Sequence, residues 1–157
     1  MQNIRWYLII FALANLALAE CPPPLKVAES FYTHNYDFYY TDPAKLKASV
    51  TPEFLKLLQR EAKYTSNHTE LGSVDYDPWL GAQDGEIGKP LNFKIESQSS
   101  GSATVLISYP FLFDGRPSEK HTVRLVLHSN GQGCWLLHDF VTATGESLSD
   151  VYSSIKP

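Results

Sequence analysis

The sequence lacks long apolar runs, with one exception at its N-terminus. That run covers residues 6–18, which is shorter than the roughly 20 apolar residues that a membrane-spanning helix needs. No second run follows, so the remaining chain has no predicted membrane span. Internal repeats and low-complexity tracts are absent as well, which excludes repeat architectures.

The chain is also poor in positive charge. Its 13 Lys and Arg residues oppose 17 Asp and Glu residues, and the net charge is -4. No basic stripe appears in the sequence. Because proteins bind phosphates through clustered Lys and Arg, we do not expect a nucleic-acid partner, whereas a basic or cationic partner is easier to accommodate.

Catalytic motifs are missing too. The sequence has no Gly-x-Ser-x-Gly nucleophile elbow. His138 and Asp139 are neighbours on a predicted strand, where consecutive side chains point to opposite faces, so they cannot form a simple base and orienting pair. The other histidines have no metal-ligand spacing: His34, His68, His121 and His128. We therefore expect no catalytic residue, no cofactor and no metal ion.

The N-terminus has the pattern of a cleavable secretory signal. Arg5 provides a short positive segment, the apolar run follows, and Ala17-Leu18-Ala19 is a small-x-small cleavage site. We expect residues 1–19 to be removed and residues 20–157 to form one domain in the periplasm. An uncleaved anchor helix is one alternative. Lipidation of Cys21, with anchoring in the outer membrane, is another, although Glu20 stands where a small residue is usual.

The chain contains two cysteines, Cys21 and Cys134. An even number in an exported chain favours one disulfide over two free thiols. Such a bond would connect the start of the mature chain to a late strand. A catalytic cysteine would need a nearby base and a lowered pKa, and the sequence indicates neither.

Helical patterns occupy the first half of the chain. Apolar residues recur at intervals of three and four over residues 25–39, after three consecutive prolines. Thr51-Pro52 places a capping residue before a proline and predicts a second helix over residues 52–63. Its predicted inward-facing residues are Phe54, Leu55, Leu58 and Ala62. Asp42-Pro43 predicts another helical start of the same kind.

The second half alternates with a period of two. Four strands are predicted, around residues 91–95, 103–111, 122–128 and 134–141, with turns at Asp114-Gly115 and Asn130-Gly131. A short helix is predicted from Ser147, where Asp150 completes a cap. The fold class is therefore α+β: N-terminal helices packed on a curved four-stranded antiparallel meander, with a short C-terminal helix. A curved sheet closed on one side by helices has the shape of a cone, and such a cone tends to enclose a ligand cavity.

Several segments of the sequence are distinctive when taken together. The most specific is the block Asp75-Tyr-Asp77-Pro-Trp79-Leu-Gly-Ala-Gln83-Asp84, which has the pattern Asp-x-Asp...Leu-x-Ala-Gln-Asp. The others are Phe31-Tyr32, the start of the second helix, Cys134-Trp-Leu-Leu-His-Asp-Phe140 and Gly145-Glu-Ser-Leu148. Together they resemble a family of exported bacterial domains of unknown function, which looks like part of the cystatin-like, nuclear-transport-factor-2-like superfamily. The resemblance covers residues 27–152 and implies a cone fold. Because some members or neighbours are immunity proteins against type VI secretion toxins, it also implies a toxin partner.

The acidic block over residues 75–86 is the first candidate binding segment. Its carboxylates could hold a hard cation such as calcium, but the spacing does not match the calcium helix-loop-helix pattern. Capping of turns by Asp75 and Asp77 is the structural alternative. Exposed tyrosine and tryptophan are common at binding hot spots, which adds aromatic residues to the candidates. The predicted partner-binding residues are Asp75, Asp77, Trp79, Gln83, Asp84, Glu86, Tyr36 and Tyr40.

These expectations combine into one functional hypothesis. The protein is expected to be a periplasmic immunity protein that binds and neutralises a secreted toxin, as a monomer or weak homodimer. The first alternative is an envelope accessory protein that binds a small apolar ligand in the cone cavity. The second is an enzyme in which Asp139 works with Tyr36, Tyr39 or Tyr40, although aromatic packing explains those rings better.

Overall fold

The computed structural model describes residues 21–67 and 72–156. The predicted signal peptide, residues 1–19, lies outside these described residues. The described ranges contain three α-helices, namely α1 (Pro24–His34), α2 (Pro52–Asn67) and α3 (Leu148–Ser154), with a 3₁₀ helix at Pro43–Leu46. The strands are β1 (Glu86–Ile87), β2 (Asn92–Gln98), β3 (Ser102–Phe113), β4 (Arg116–Ser129) and β5 (Trp135–Val141).

Helix α1 is shorter than its sequence pattern predicts. It begins at Pro24, where a missing backbone N–H costs nothing, and ends at His34 instead of residue 39. Beyond His34 the chain turns, and the backbone N–H of Asn35 donates to the carbonyl of Phe31. Phe38, which lies in this turn, is buried in the core. The apolar spacing therefore continues past the helix because the turn also faces the core.

Helix α2 begins as predicted. Thr51 Oγ1 accepts a hydrogen bond of 3.3 Å from the backbone N–H of Phe54. Phe54 and Leu58 are buried. The prediction that Ala62 faces inward is wrong, since Ala62 is exposed and Glu61 is buried in its place. Residues 54, 58 and 61 form one continuous stripe at helical spacing, and Ala62 lies beside it.

The sheet is antiparallel, curled and five-stranded, with the meander of β2 to β5 as predicted. The additional strand is β1, which pairs with one end of β3 while β2 pairs with the rest of the same edge. Two residues are too few to show a period of two. At the β3–β4 turn, Asp114 and Gly115 have φ angles of 50° and 70°, the left-handed conformation that tight hairpins require.

The core lies between the helices and one face of this sheet. Helix α3 is capped as predicted, because Ser147 Oγ accepts a hydrogen bond of 3.1 Å from the backbone N–H of Asp150. The helices and the antiparallel sheet confirm the predicted α+β class and the curved sheet covered by helices.

Within residues 21–67 and 72–156, none of the helices combines the length and the apolar character needed to cross a membrane. The largest fully buried side chains are Trp79, Tyr109, Tyr152, Phe38, Phe54 and Phe140.

Candidate functional site

The protein's own aromatic side chains fill the interior of the curled sheet. Trp79 is 0% exposed, and its ring centroid lies 4.6 Å from that of Phe140 and 6.3 Å from that of Phe38. Its ring also stacks on that of Tyr36, with the centroids 5.5 Å apart and an interplanar angle of 11°. These contacts occupy the place where a cone fold would hold a ligand, which counts against a small apolar ligand in the interior.

Asp77 organises the turn that carries Trp79. Its Oδ1 accepts backbone N–H bonds from Trp79 at 2.7 Å and Leu80 at 3.3 Å. Its Oδ2 accepts a bond of 3.0 Å from the Tyr36 hydroxyl. Burial first, and the adjacent Asp77 carboxylate second, raise the pKa of Tyr36 far above its usual value, so this hydroxyl stays a donor. Asp77 therefore caps a turn, as the structural alternative predicted.

Trp79 is held by backbone and side-chain bonds as well as by ring packing. Its Nε1 donates to the Tyr36 carbonyl at 2.8 Å, and its own carbonyl accepts from the Tyr109 hydroxyl. Because the ring is fully buried, it is not available to a partner. This placement corrects its inclusion among the exposed candidates. Trp79 acts as the core residue that attaches the acidic block to the sheet.

We expect Tyr109→Phe to lower the free energy of unfolding by about 1 to 3 kcal/mol, because the substitution leaves a buried carbonyl with one hydrogen bond fewer. Urea denaturation followed by circular dichroism measures this change. Tyr152→Phe is the matched control, since the buried Tyr152 hydroxyl has no partner among the described residues. Equal losses in the two variants would contradict the role assigned to the Tyr109 bond.

The other predicted contact residues of the acidic block do not lie together on one surface. Asp75 and Gln83 are exposed. Asp84 and Glu86 line a shallow concavity together with the β3–β4 turn, because β1 pairs Glu86 with Leu112. We name this surface the acidic tip and define it as Asp84, Glu86, Phe113 and Asp114. Within the part of the chain that the structure describes, no group of three His, Cys, Asp or Glu side chains is placed to hold a metal ion.

The acidic tip contains an aromatic residue that the sequence analysis missed. Phe113 is 59% exposed at the end of β3 and lines the same concavity as the three carboxylates. Strand alternation gave no signal for its exposure, because Phe111 is buried and a regular strand would place residue 113 on the same face. A register shift between Phe111 and Leu112 breaks that alternation. Phe113 therefore projects to solvent and not into the core.

Tyr40 lies at a second concavity, away from Trp79. It is 77% exposed and lines a cleft of about 300 Å³ between residues 38–43, α2 and residues 72–74. We name this the Glu61 cleft, after the buried side chain that lines it. Glu61 was missed because α2 was assigned Ala62 as its inward residue. Continuing the stripe of Phe54 and Leu58 by one helical turn would have found it.

The residues considered for catalysis have separate partners. Asp139 Oδ1 accepts from the backbone N–H of Ser149 at 2.9 Å and its Oδ2 accepts from the Ser147 hydroxyl at 2.6 Å. His138 instead contacts Thr51 Oγ1 at 3.1 Å. Tyr36 bonds to Asp77 and not to Asp139. Asp139 thus stabilises the start of α3, and His138 contacts the start of α2.

In comparisons with known proteins, no family model, no curated protein and no solved structure matches this chain. The resemblance to a family of exported bacterial domains of unknown function therefore stays a prediction.

Proposed function

We propose that the protein is an extracytoplasmic binding protein, specifically an immunity protein that neutralises an antibacterial toxin by direct contact. The observation that carries this proposal is the acidic tip, where exposed Phe113 shares a concavity with Asp84, Glu86 and Asp114. An aromatic side chain that can be buried by a partner is typical of a binding hot spot. The surrounding carboxylates favour a basic surface on that partner.

Two further observations support this function. The curled sheet is filled by its own side chains, so recognition at the outer surface agrees better with the structure than enclosure of a ligand. Cys21 and Cys134 form a disulfide, which is compatible with an oxidising compartment. An inhibitor must be present where its toxin arrives, and the predicted secretory signal would deliver it there.

The proposal is tested with the product of the adjacent gene as the candidate toxin. Co-expression and pull-down measure binding, and survival of cells that receive the toxin in the periplasm measures protection. We expect both binding and protection. Absence of both would overturn the toxin-neutralising function.

The acidic tip makes a more specific prediction about that complex. Phe113→Ala is expected to weaken toxin binding by at least about 30-fold, which corresponds to a hot-spot loss of about 2 kcal/mol. Asp84→Lys with Glu86→Lys is expected to slow association and to reverse its dependence on salt. Asp37→Lys, which changes an exposed acid outside the tip, is the matched control. Unchanged affinity in Phe113→Ala would exclude the acidic tip as the contact surface.

A further inference from the structure

We propose that the Glu61 cleft is a binding site for a small organic ammonium ion. The ammonium group would bind to Glu61 and Tyr152, and the apolar body of the ligand would lie against the aromatic wall. This site shares no residue with the acidic tip, so the proposal stands independently of toxin binding.

The cleft has the size and the lining of a small-molecule site. Its volume is about 300 Å³, at the lower end of the range of roughly 300–1,000 Å³ that ligand pockets occupy. More than half of its lining residues are apolar or aromatic. The polar lining residues are Thr41, Asp42, Glu61, Thr65 and Ser66.

Glu61 is the unusual member of this lining. Its side chain is only 6% exposed although it is a carboxylate on a surface helix. Oε1 accepts a bond of 2.7 Å from the backbone N–H of Ser73 and one of 3.4 Å from the Thr65 hydroxyl. Oε2 has no hydrogen-bond partner among the described residues. A buried carboxylate oxygen without a partner is costly, and each such group calls for an explanation.

Tyr152 has the same deficiency in the same cleft. Its hydroxyl is buried and has no partner among the described residues. Burial, followed by the nearby Glu61 carboxylate, raises the pKa of Tyr152 well above the usual range, so its hydroxyl stays protonated. Its oxygen can accept a hydrogen bond, as Glu61 Oε2 can. Two oxygens in one cleft therefore lack a hydrogen-bond partner among the described residues, and a group with several N–H donors would satisfy both.

Charge selects an ammonium ion among such donors. Asp42 and Glu61 line the cleft, whereas no Lys, Arg or His belongs to its described lining. The negative charge of Glu61 is thus unbalanced within the cleft, which favours a cation and repels an anion. The rings of Tyr39 and Tyr40, with centroids 4.4 Å apart, add faces that attract cations. Because both acceptor oxygens are shielded from solvent, the ligand reaches them by a side-chain rearrangement, which is common on binding.

The test compares two ligands of nearly equal shape. Phenethylammonium chloride and phenethyl alcohol are titrated separately into the isotopically labelled protein, and backbone amide shifts are measured by NMR. We expect saturable shifts at residues 72–74 with phenethylammonium, and affinity at least tenfold weaker for the alcohol. A third titration, with Nα-acetyl-lysine methylamide, distinguishes a lysine side chain from a free amine as the source of the ammonium group. Equal affinity for the ammonium ion and the alcohol, or no saturable shift with either ammonium ligand, would overturn the proposal.

Three variants assign the effect to the proposed groups. Glu61→Gln removes the charge at nearly constant shape and is expected to weaken ammonium binding at least tenfold. Tyr152→Phe is expected to weaken it several-fold while the unfolding midpoint stays at or above that of the wild type, because the deleted hydroxyl has no partner. Tyr152→Phe therefore carries the test even where Glu61→Gln fails to fold. Glu53→Gln, an exposed acid of the same helix, is expected to bind like the wild type. Wild-type affinity for the ammonium ligand in both Glu61→Gln and Tyr152→Phe would show that these two groups do not bind it.

Discussion

Trp79→Ala is expected to lower the free energy of unfolding by about 3 to 5 kcal/mol, the loss typical of a large aromatic side chain removed from a core. The ring is 0% exposed and contacts four aromatic neighbours among the residues that the structure describes, and its Nε1 donates to the Tyr36 carbonyl. Alanine would leave a cavity among these rings and would remove the indole donor of the Tyr36 carbonyl. The four neighbours are Tyr32, Tyr36, Phe38 and Phe140.

Urea denaturation followed by circular dichroism measures the loss without depending on tryptophan fluorescence. Trp79→Phe keeps a ring but loses the Nε1 hydrogen bond, so we expect a loss between those of the wild type and the alanine variant. Tyr40→Ala is the control for aromatic truncation at a position that is 77% exposed, and it should change stability by less than about 0.5 kcal/mol. If Trp79→Ala were as mild as Tyr40→Ala, the acidic block would not be part of the core.

The burial of Trp79 could not be predicted from the sequence. It lies in a segment rich in turn residues, and such segments are usually at the surface. Its burial depends on Tyr36, Tyr109 and Phe140, which are more than 25 positions away in the chain. No local pattern encodes contacts of that separation. The candidate site was therefore assigned as one exposed block although the structure divides it.

Local chemistry predicted much of the fold. The caps at Asp42, Thr51 and Ser147 bond as expected, because a capping side chain acts within three residues of itself. The four predicted strands are present, and the alternation along β3 and β4 reflects one buried face of the sheet. The end of α1 was missed since Phe38 continues the apolar spacing from a turn.

Loss of the Cys21–Cys134 disulfide is expected to lower the free energy of unfolding by about 4 to 5 kcal/mol on the chain-entropy model, because the bond closes a loop of about a hundred residues. The two cysteines are separated by 113 positions, and their Cα atoms lie 5.0 Å apart, within the range that a disulfide spans. The bond fixes the chain before α1 to the chain before β5. Urea denaturation of the oxidised protein and of the Cys21→Ser, Cys134→Ser double variant measures the difference.

The stability comparison depends on the state of both thiols in the exported protein, which alkylation and mass spectrometry determine. We expect no alkylated thiol without reductant and two with it. Lipidation would give a different result, since acylated Cys21 could not pair and Cys134 would be alkylated without reductant. Ser30→Ala changes an exposed residue of α1 and is the control for an effect of substitution as such. It should leave the free energy of unfolding near that of the wild type. Two alkylatable thiols in the unreduced protein would refute the disulfide and, with it, the stabilisation by loop closure.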